Sequence, residues 1–89
     1  MITEFERNYS REQMRGRDEP AFEWYTANYG LIAAHVHNKN GHWTSFLRGV
    51  SDKTSFQKYA TKEEAINATR DNLAEIAKSL IRQTQDTTP

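Results

Sequence analysis

Asn40-Gly41 is the feature that most constrains this chain. It separates two apolar-rich runs, Leu31–His37 and His42–Val50. A type I′ turn needs φ > 0 at both central positions, and Asn-Gly is the pair that accepts this most readily. The stretch therefore reads as a β-hairpin. With Asn40-Gly41 as a two-residue turn, Lys39 pairs with His42, His37 with Thr44, His35 with Phe46 and Ala33 with Arg48. Side chains alternate faces along a strand. One face then carries Ile32, Ala34, Val36, Trp43 and Leu47, a core face. The other carries His35, His37, Lys39, His42, Thr44, Phe46 and Arg48. A three-residue turn from Lys39 would move His42 beside Val36 and Phe46 beside Ala34. That mixes the faces, so the two-residue turn is preferred.

Two strands seldom stand alone, so a third is expected. Phe22–Thr26 and Ser55–Tyr59 are both candidates, with Asn28-Tyr29-Gly30 as a turn and Ser51–Thr54 as a polar connection. Thr61-Lys62-Glu63-Glu64 is a capping box, and Glu63 and Glu64 suit the positive end of a helix. Ile66, Thr69, Leu73, Ile76, Ala77 and Leu80 recur at helical spacing, which predicts a helix from Lys62 to about Gln83. Trp43 and Leu73 are expected in the core. The fold class is α+β: a small antiparallel three-stranded sheet with one face covered by a long C-terminal helix. A helix of this length outruns an eight-residue strand, so Leu80 and Ile81 overhang the sheet and need a cover. A homodimer through Leu80 and Ile81 is one solution.

Three segments follow: an N-terminal arm or short helix (1–20), the sheet-plus-helix domain (21–83) and a flexible tail (84–89). Thr3-Glu4-Phe5-Glu6 has the form of another capping box, and a helix from Glu4 to about Arg15 would put Phe5 and Tyr9 one turn apart. Such a helix could dock through those two rings, or the segment could be a frayed arm.

The chain has 89 residues and carries 12 basic and 12 acidic residues, so a surface that is basic throughout is excluded. Charge is unevenly placed, however. Residues 21–60 hold Lys39, Arg48, Lys53 and Lys58 against Glu23 and Asp52, with all three histidines besides. There is no cysteine, hence no disulfide and no thiolate chemistry. No apolar run approaches a membrane span and residues 1–20 lack an apolar signal-peptide centre, so a cytoplasmic location is expected.

His35, His37 and His42 share one face in this register, and three imidazoles can ligate zinc. No carboxylate lies in the hairpin to orient them, so solvated histidines are preferred and no cofactor or metal is expected. No phosphate-binding glycine loop, His-Glu-x-x-His or nucleophile elbow is present, so no enzyme is expected. The candidate site is instead a nucleic-acid-binding face made of His35, His37, Lys39, His42, Thr44, Phe46 and Arg48. Its cations and hydroxyls can meet phosphates and base edges, and a β-ribbon can enter a major groove. Imidazoles titrate near about pH 6.5, so three of them would add charge to the face just below neutrality.

Gly41-His42-Trp43 after the turn, and Tyr59-Ala60-Thr61-Lys62-Glu63-Glu64-Ala65 leading into the helix, resemble the AP2-like arm-type DNA-binding domains of phage tyrosine integrases. The likeness covers about residues 22–80. It implies a three-stranded sheet plus helix, with the sheet binding duplex DNA. The alternative is a small protein-binding inhibitor or adaptor of phage or plasmid type, acting on a host protein complex.

Overall fold

The computed structural model describes residues 2–18, 22–50 and 57–85. Its elements in order are β1 (Glu6–Arg7), α1 (Arg11–Met14), β2 (Trp24–Tyr29), β3 (Ile32–Lys39), β4 (His42–Arg48) and α2 (Lys62–Gln85). The four strands form one antiparallel sheet in the order β1-β2-β3-β4. The fold is α+β, with α2 packed on β3 and β4. Among the described residues no helix is long and apolar enough to cross a membrane.

The β3–β4 register is the one the Asn-Gly turn dictates: Ala33 faces Arg48, His35 faces Phe46, His37 faces Thr44 and Lys39 faces His42. Asn40 (φ 58°) and Gly41 (φ 85°) both hold positive φ, as a type I′ turn demands. The β2–β3 connection is equally tight. Gly30 takes φ 68° at the first central position and Leu31 does not, the pattern of a type II′ turn. This turn puts Leu31 in solvent, 99% exposed, rather than in the strand. It also lets β2 run on through Asn28 and Tyr29, which the sequence reads as turn residues.

The core lies between the sheet and α2. Ala34, Val36, Trp43 and Leu47 are buried, as the inner face requires, and Ile32 is half-buried. Ser45 shares that face and is buried too. Val36, Trp43 and Ala65 form the central cluster, with Phe5, Tyr25, Tyr59 and Ile66 packed around it. Ala65 sits at the contact because its methyl lets the helix approach the sheet closely. Thr69, one turn on, is fully buried and donates its hydroxyl to the Ala65 carbonyl at 2.7 Å. The helix contact is thus centred on Ala65 and Thr69. Leu73, expected in the core, is only half-buried, and Ala77 is exposed.

The capping of α2 follows the sequence. The Glu64 amide donates to Thr61 Oγ1 at 3.1 Å, while the Glu64 carboxylate accepts from the Ala60 amide at 3.2 Å, one residue before the usual partner. The helix continues two residues past the expected Gln83, with Thr84 Oγ1 donating to the Leu80 carbonyl. Its 24 residues make it about 36 Å long, against about 27 Å for β3. Leu80 and Ile81, 51% and 57% exposed, lie on the overhang.

Two expectations are corrected. The sheet has four strands, not three, because Glu6–Arg7 adds an edge strand opposite Tyr25 and Thr26. No N-terminal helix spans Glu4 to Arg15. The apolar stripe there is too thin to hold one, and backbone pairing with β2 satisfies the chain instead; one four-residue turn, α1, is all that is helical. Phe5 packs on the core while Tyr9 is exposed. Of the two candidate third strands, the Phe22–Thr26 region supplies β2. Tyr59 makes a single bridge with Trp43, through reciprocal backbone bonds of 2.7 and 2.9 Å. Ser51–Phe56 and the chain end from 86 lie outside the described residues.

Val36→Ala is expected to cost about 2 kcal/mol, by lost transfer energy and a residual cavity. Leu73→Ala should cost less, because Leu73 is half-buried. Thr61→Ala should cost about 1 kcal/mol through loss of the cap. Urea melts of the three variants check the order; a Leu73→Ala loss exceeding that of Val36→Ala would contradict the packing described.

Candidate nucleic-acid interface and the pocket beside it

The outer face of the sheet is free of α2 and is crossed by the N-terminal segment. Residues 3–5 run along the helix side, where Phe5 joins the core and Arg70 donates to the Thr3 carbonyl, and Glu6–Arg7 follow as the edge strand β1. The chain then passes over the β1 edge. Asn8 Nδ2 donates to Thr26 Oγ1 at 3.1 Å on the outer face, and the Ser10 amide donates to Asn8 Oδ1 at 2.8 Å. Gln13 is buried and accepts from the Phe22 amide at 3.3 Å, which fixes the entry into β2.

Register brings the expected site residues together. Trp24, His37 and Thr44 lie in one row across β2–β4, and Thr26, His35 and Phe46 in the next. Asn28, Ala33 and Arg48 form a third row. Their rings make one cluster. Phe22 stacks on Trp24 with centroids 5.9 Å apart, and His35 stacks on Phe46 at 4.5 Å. His37 meets both Phe22 and Phe46 edge-on. Lys39 lies over the Phe22 ring at 5.2 Å. Phe22, Trp24, His37, His42, Thr44 and Phe46 are half-buried; Lys39 and Arg48 are exposed.

His35 departs from expectation. It is 6% exposed, held among Trp24, Thr26 and Phe46, so it belongs to the interior of the face rather than to its surface. Trp24 Nε1 donates to His35 Nδ1 at 2.9 Å. Indole is donor-only, so Nδ1 carries no proton, and the neutral ring carries its proton on Nε2. Thr26 Oγ1 lies 3.1 Å from the same Nδ1. Burial, then Arg48 and His37, lower the His35 pKa to about 4. Burial and Lys39 also lower His37, whose Nδ1 is 3.1 Å from Thr44 Oγ1. The picture of three imidazoles charging together near neutrality is therefore corrected. The low dielectric and the neighbouring cations keep His35 neutral, and they oppose protonation of His37. Among the described residues no group of three His, Cys, Asp or Glu side chains could hold a metal ion.

Sequence reasoning misses the contribution of the N-terminal segment. Asn8, Ser10, Arg11, Trp24, His35 and Arg48 line a cleft of about 360 Å³ beside the ring cluster. None of Asn8, Ser10 and Arg11 stands out in sequence, because no local pattern places them over β2.

The lowered pKa gives a pH dependence with a definite sign. The unfolded imidazole, near about pH 6.5, binds its proton before the folded one does. The stabilisation from neutral His35 is thus complete above about pH 6.5 and is lost as pH falls towards 4. Arg48, His37 and Arg11 surround the ring, and Glu6 lies beyond Thr26 in the register. Chemical denaturation at pH 7 and pH 4.5 should show the wild type losing more stability than a His35→Phe variant; equal losses would place the titration elsewhere. Comparison of the chain with protein-family models, with curated proteins and with solved structures gives no match.

Proposed function

We propose that the protein is a non-catalytic module that binds nucleic acid through the outer face of its sheet. The observation that carries this reading is the half-exposed ring cluster of Phe22, Trp24, His37 and Phe46, bordered by the exposed cations Lys39 and Arg48. Rings offer stacking surfaces that every base can use, and cations supply attraction to phosphate. A neutral His35, and a His37 whose protonation burial opposes, make the face more aromatic and less basic than its composition suggests. That favours an unpaired strand, whose bases are free to stack, over the duplex groove implied by the arm-type resemblance. His42 and Thr44 extend the face towards the hairpin tip. His35 supports it from beneath.

Fluorescence anisotropy with a labelled single strand and a labelled duplex tests the reading. Binding should weaken with salt, by roughly 0.7 log units per tenfold salt for each phosphate contacted on a single strand. A Lys39→Ala, Arg48→Ala double variant should lose at least about tenfold in affinity, and Phe22→Leu should lose stacking at little cost in charge. His35 contributes no added charge between pH 7.5 and 6, so it drives no rise in affinity there. Absence of binding to either probe at low salt would remove the reading.

The overhang of α2 favours a second reading, in which the chain works through protein contact. Ile66, Thr69, Leu73, Ile76 and Leu80 follow alternating three- and four-residue steps, the spacing of a coiled-coil seam. The half of that seam beyond Thr69 is half-buried or exposed, and Ile81 widens it. A second copy of this helix is the partner that fits, since it offers the same stripe. Sedimentation should then show a dimer that Leu80→Glu, Ile81→Glu converts to monomer. A wild-type monomer across the micromolar range would dismiss this interface.

A further inference from the structure

The cleft beside the ring cluster has an incomplete hydrogen-bond inventory. His35 Nε2 and Ser10 Oγ are both buried, and neither has a partner. Both residues line the cleft. Buried polar atoms in native proteins are almost always paired, so two orphans in one cleft require an explanation.

The chemistry of the missing partner can be derived. Trp24 fixes the His35 proton on Nε2, so the orphan is an N–H donor and needs an acceptor. Ser10 Oγ can donate as well, and the Ser10 side chain makes no capping bond to α1. Arg11 and Arg48 bring two guanidinium groups to the same cleft. Guanidinium forks match tetrahedral and planar oxyanions, and Arg cannot be deprotonated to relieve the local charge. Among the described residues, no Asp or Glu lines the cleft beside these two charges. The electrostatics agree in direction: after burial, the charge of Arg48 is the next cause that disfavours a proton on His35.

We infer that the cleft between the N-terminal segment and the sheet is a phosphate-binding site, with His35 Nε2–H and Ser10 Oγ–H as donors and Arg11 and Arg48 as the counter-charges. A phosphate group presents several acceptors at once and carries the charge the cleft lacks. A single water could satisfy the donors but not the charge. The site stands whether or not the ring cluster binds nucleic acid, because its donors, His35 Nε2–H and Ser10 Oγ–H, are not among the stacking rings; Arg48 is the one cation the two readings share. The phosphate could belong to a free phosphate ion or to a nucleic-acid backbone.

The test follows the His35 imidazole of the full chain by isotope-edited NMR at pH 7, titrating inorganic phosphate against chloride at matched ionic strength. A saturable shift of the His35 signals is expected. Arg48→Gln and Arg11→Gln should each weaken it by about tenfold, the size of a charged hydrogen bond, while Lys39→Gln should not. Both arginines are exposed, so these variants keep the core, and far-UV circular dichroism checks it. Ser10→Ala provides a milder loss at the second donor. An unlabelled oligonucleotide then separates the sources. If it shifts His35 and competes with phosphate, the ligand is a backbone phosphate. If phosphate binds and the oligonucleotide does not, the site takes free phosphate, the inference stands, and the nucleic-acid reading falls. No saturable His35 shift with phosphate, or one that survives the double arginine substitution, overturns the inference even if the oligonucleotide binds elsewhere.

Discussion

The β3–β4 register governs nearly everything else in this protein. Its turn closes on Lys39 and His42, and every further pair follows at period two. A slip of one residue would carry Val36 and Leu47 into solvent and push His35 and Arg48 against α2. The register also locates the helix. Trp43 pairs with Asn38 on one side and bridges to Tyr59 on the other, two residues ahead of the Thr61 cap. The strand edge that receives Tyr59 thus delivers the chain to the start of α2 with its cap in place. One turn of two residues sets both the division of faces and the origin of the layer that covers one of them.

What was legible in the sequence was local or periodic. The hairpin, the inner face and the cap of α2 each depend on residues a few positions apart. The centre of the helix contact was less legible, because spacing finds apolar side chains and not the close approach that a small one allows. Ile66, Thr69, Leu73, Ile76, Ala77 and Leu80 mark the stripe; of these only Thr69 is buried, together with Ala65, which the stripe does not include. Strand β1 was not legible at all. Two residues, Glu6 and Arg7, carry no pattern, and their pairing spans about twenty residues of chain. The third strand was ambiguous for a related reason: Tyr59 does pair with the sheet, but only as a bridge at its edge.

The candidate face was legible as a set and misread in character. Alternation places His35, His37, Thr44, Phe46 and Arg48 on one side, and the structure keeps them there. Alternation cannot say that Trp24 reaches across to His35, or that the N-terminal segment crosses above them. Those two tertiary events turn a titratable surface histidine into a buried neutral one. They also shift the balance of the face from charge towards rings, with its cations at the margins: Lys39 on one side, Arg48 on the other.

The same contacts tie the fold to the site. Asn8 bonds Thr26, Thr26 lies against His35 Nδ1, and Trp24 donates to that nitrogen. This short network joins the N-terminal segment just past β1 to β2 and β3 on the outer face and decides where the imidazole proton resides. Removing the Trp24 donor would free His35 to take the other tautomer, and Nε2 would become an acceptor in a cleft that Arg11 and Arg48 also line. The cleft would then satisfy itself more readily and lose its need for an oxyanion. The indole therefore has two parts in this face: it contributes ring surface to one portion while setting the hydrogen-bond polarity of another. A chain with equal numbers of acids and bases can in this way build a locally cationic, donor-rich recess without an excess of basic residues, because geometry separates the charges that composition leaves balanced.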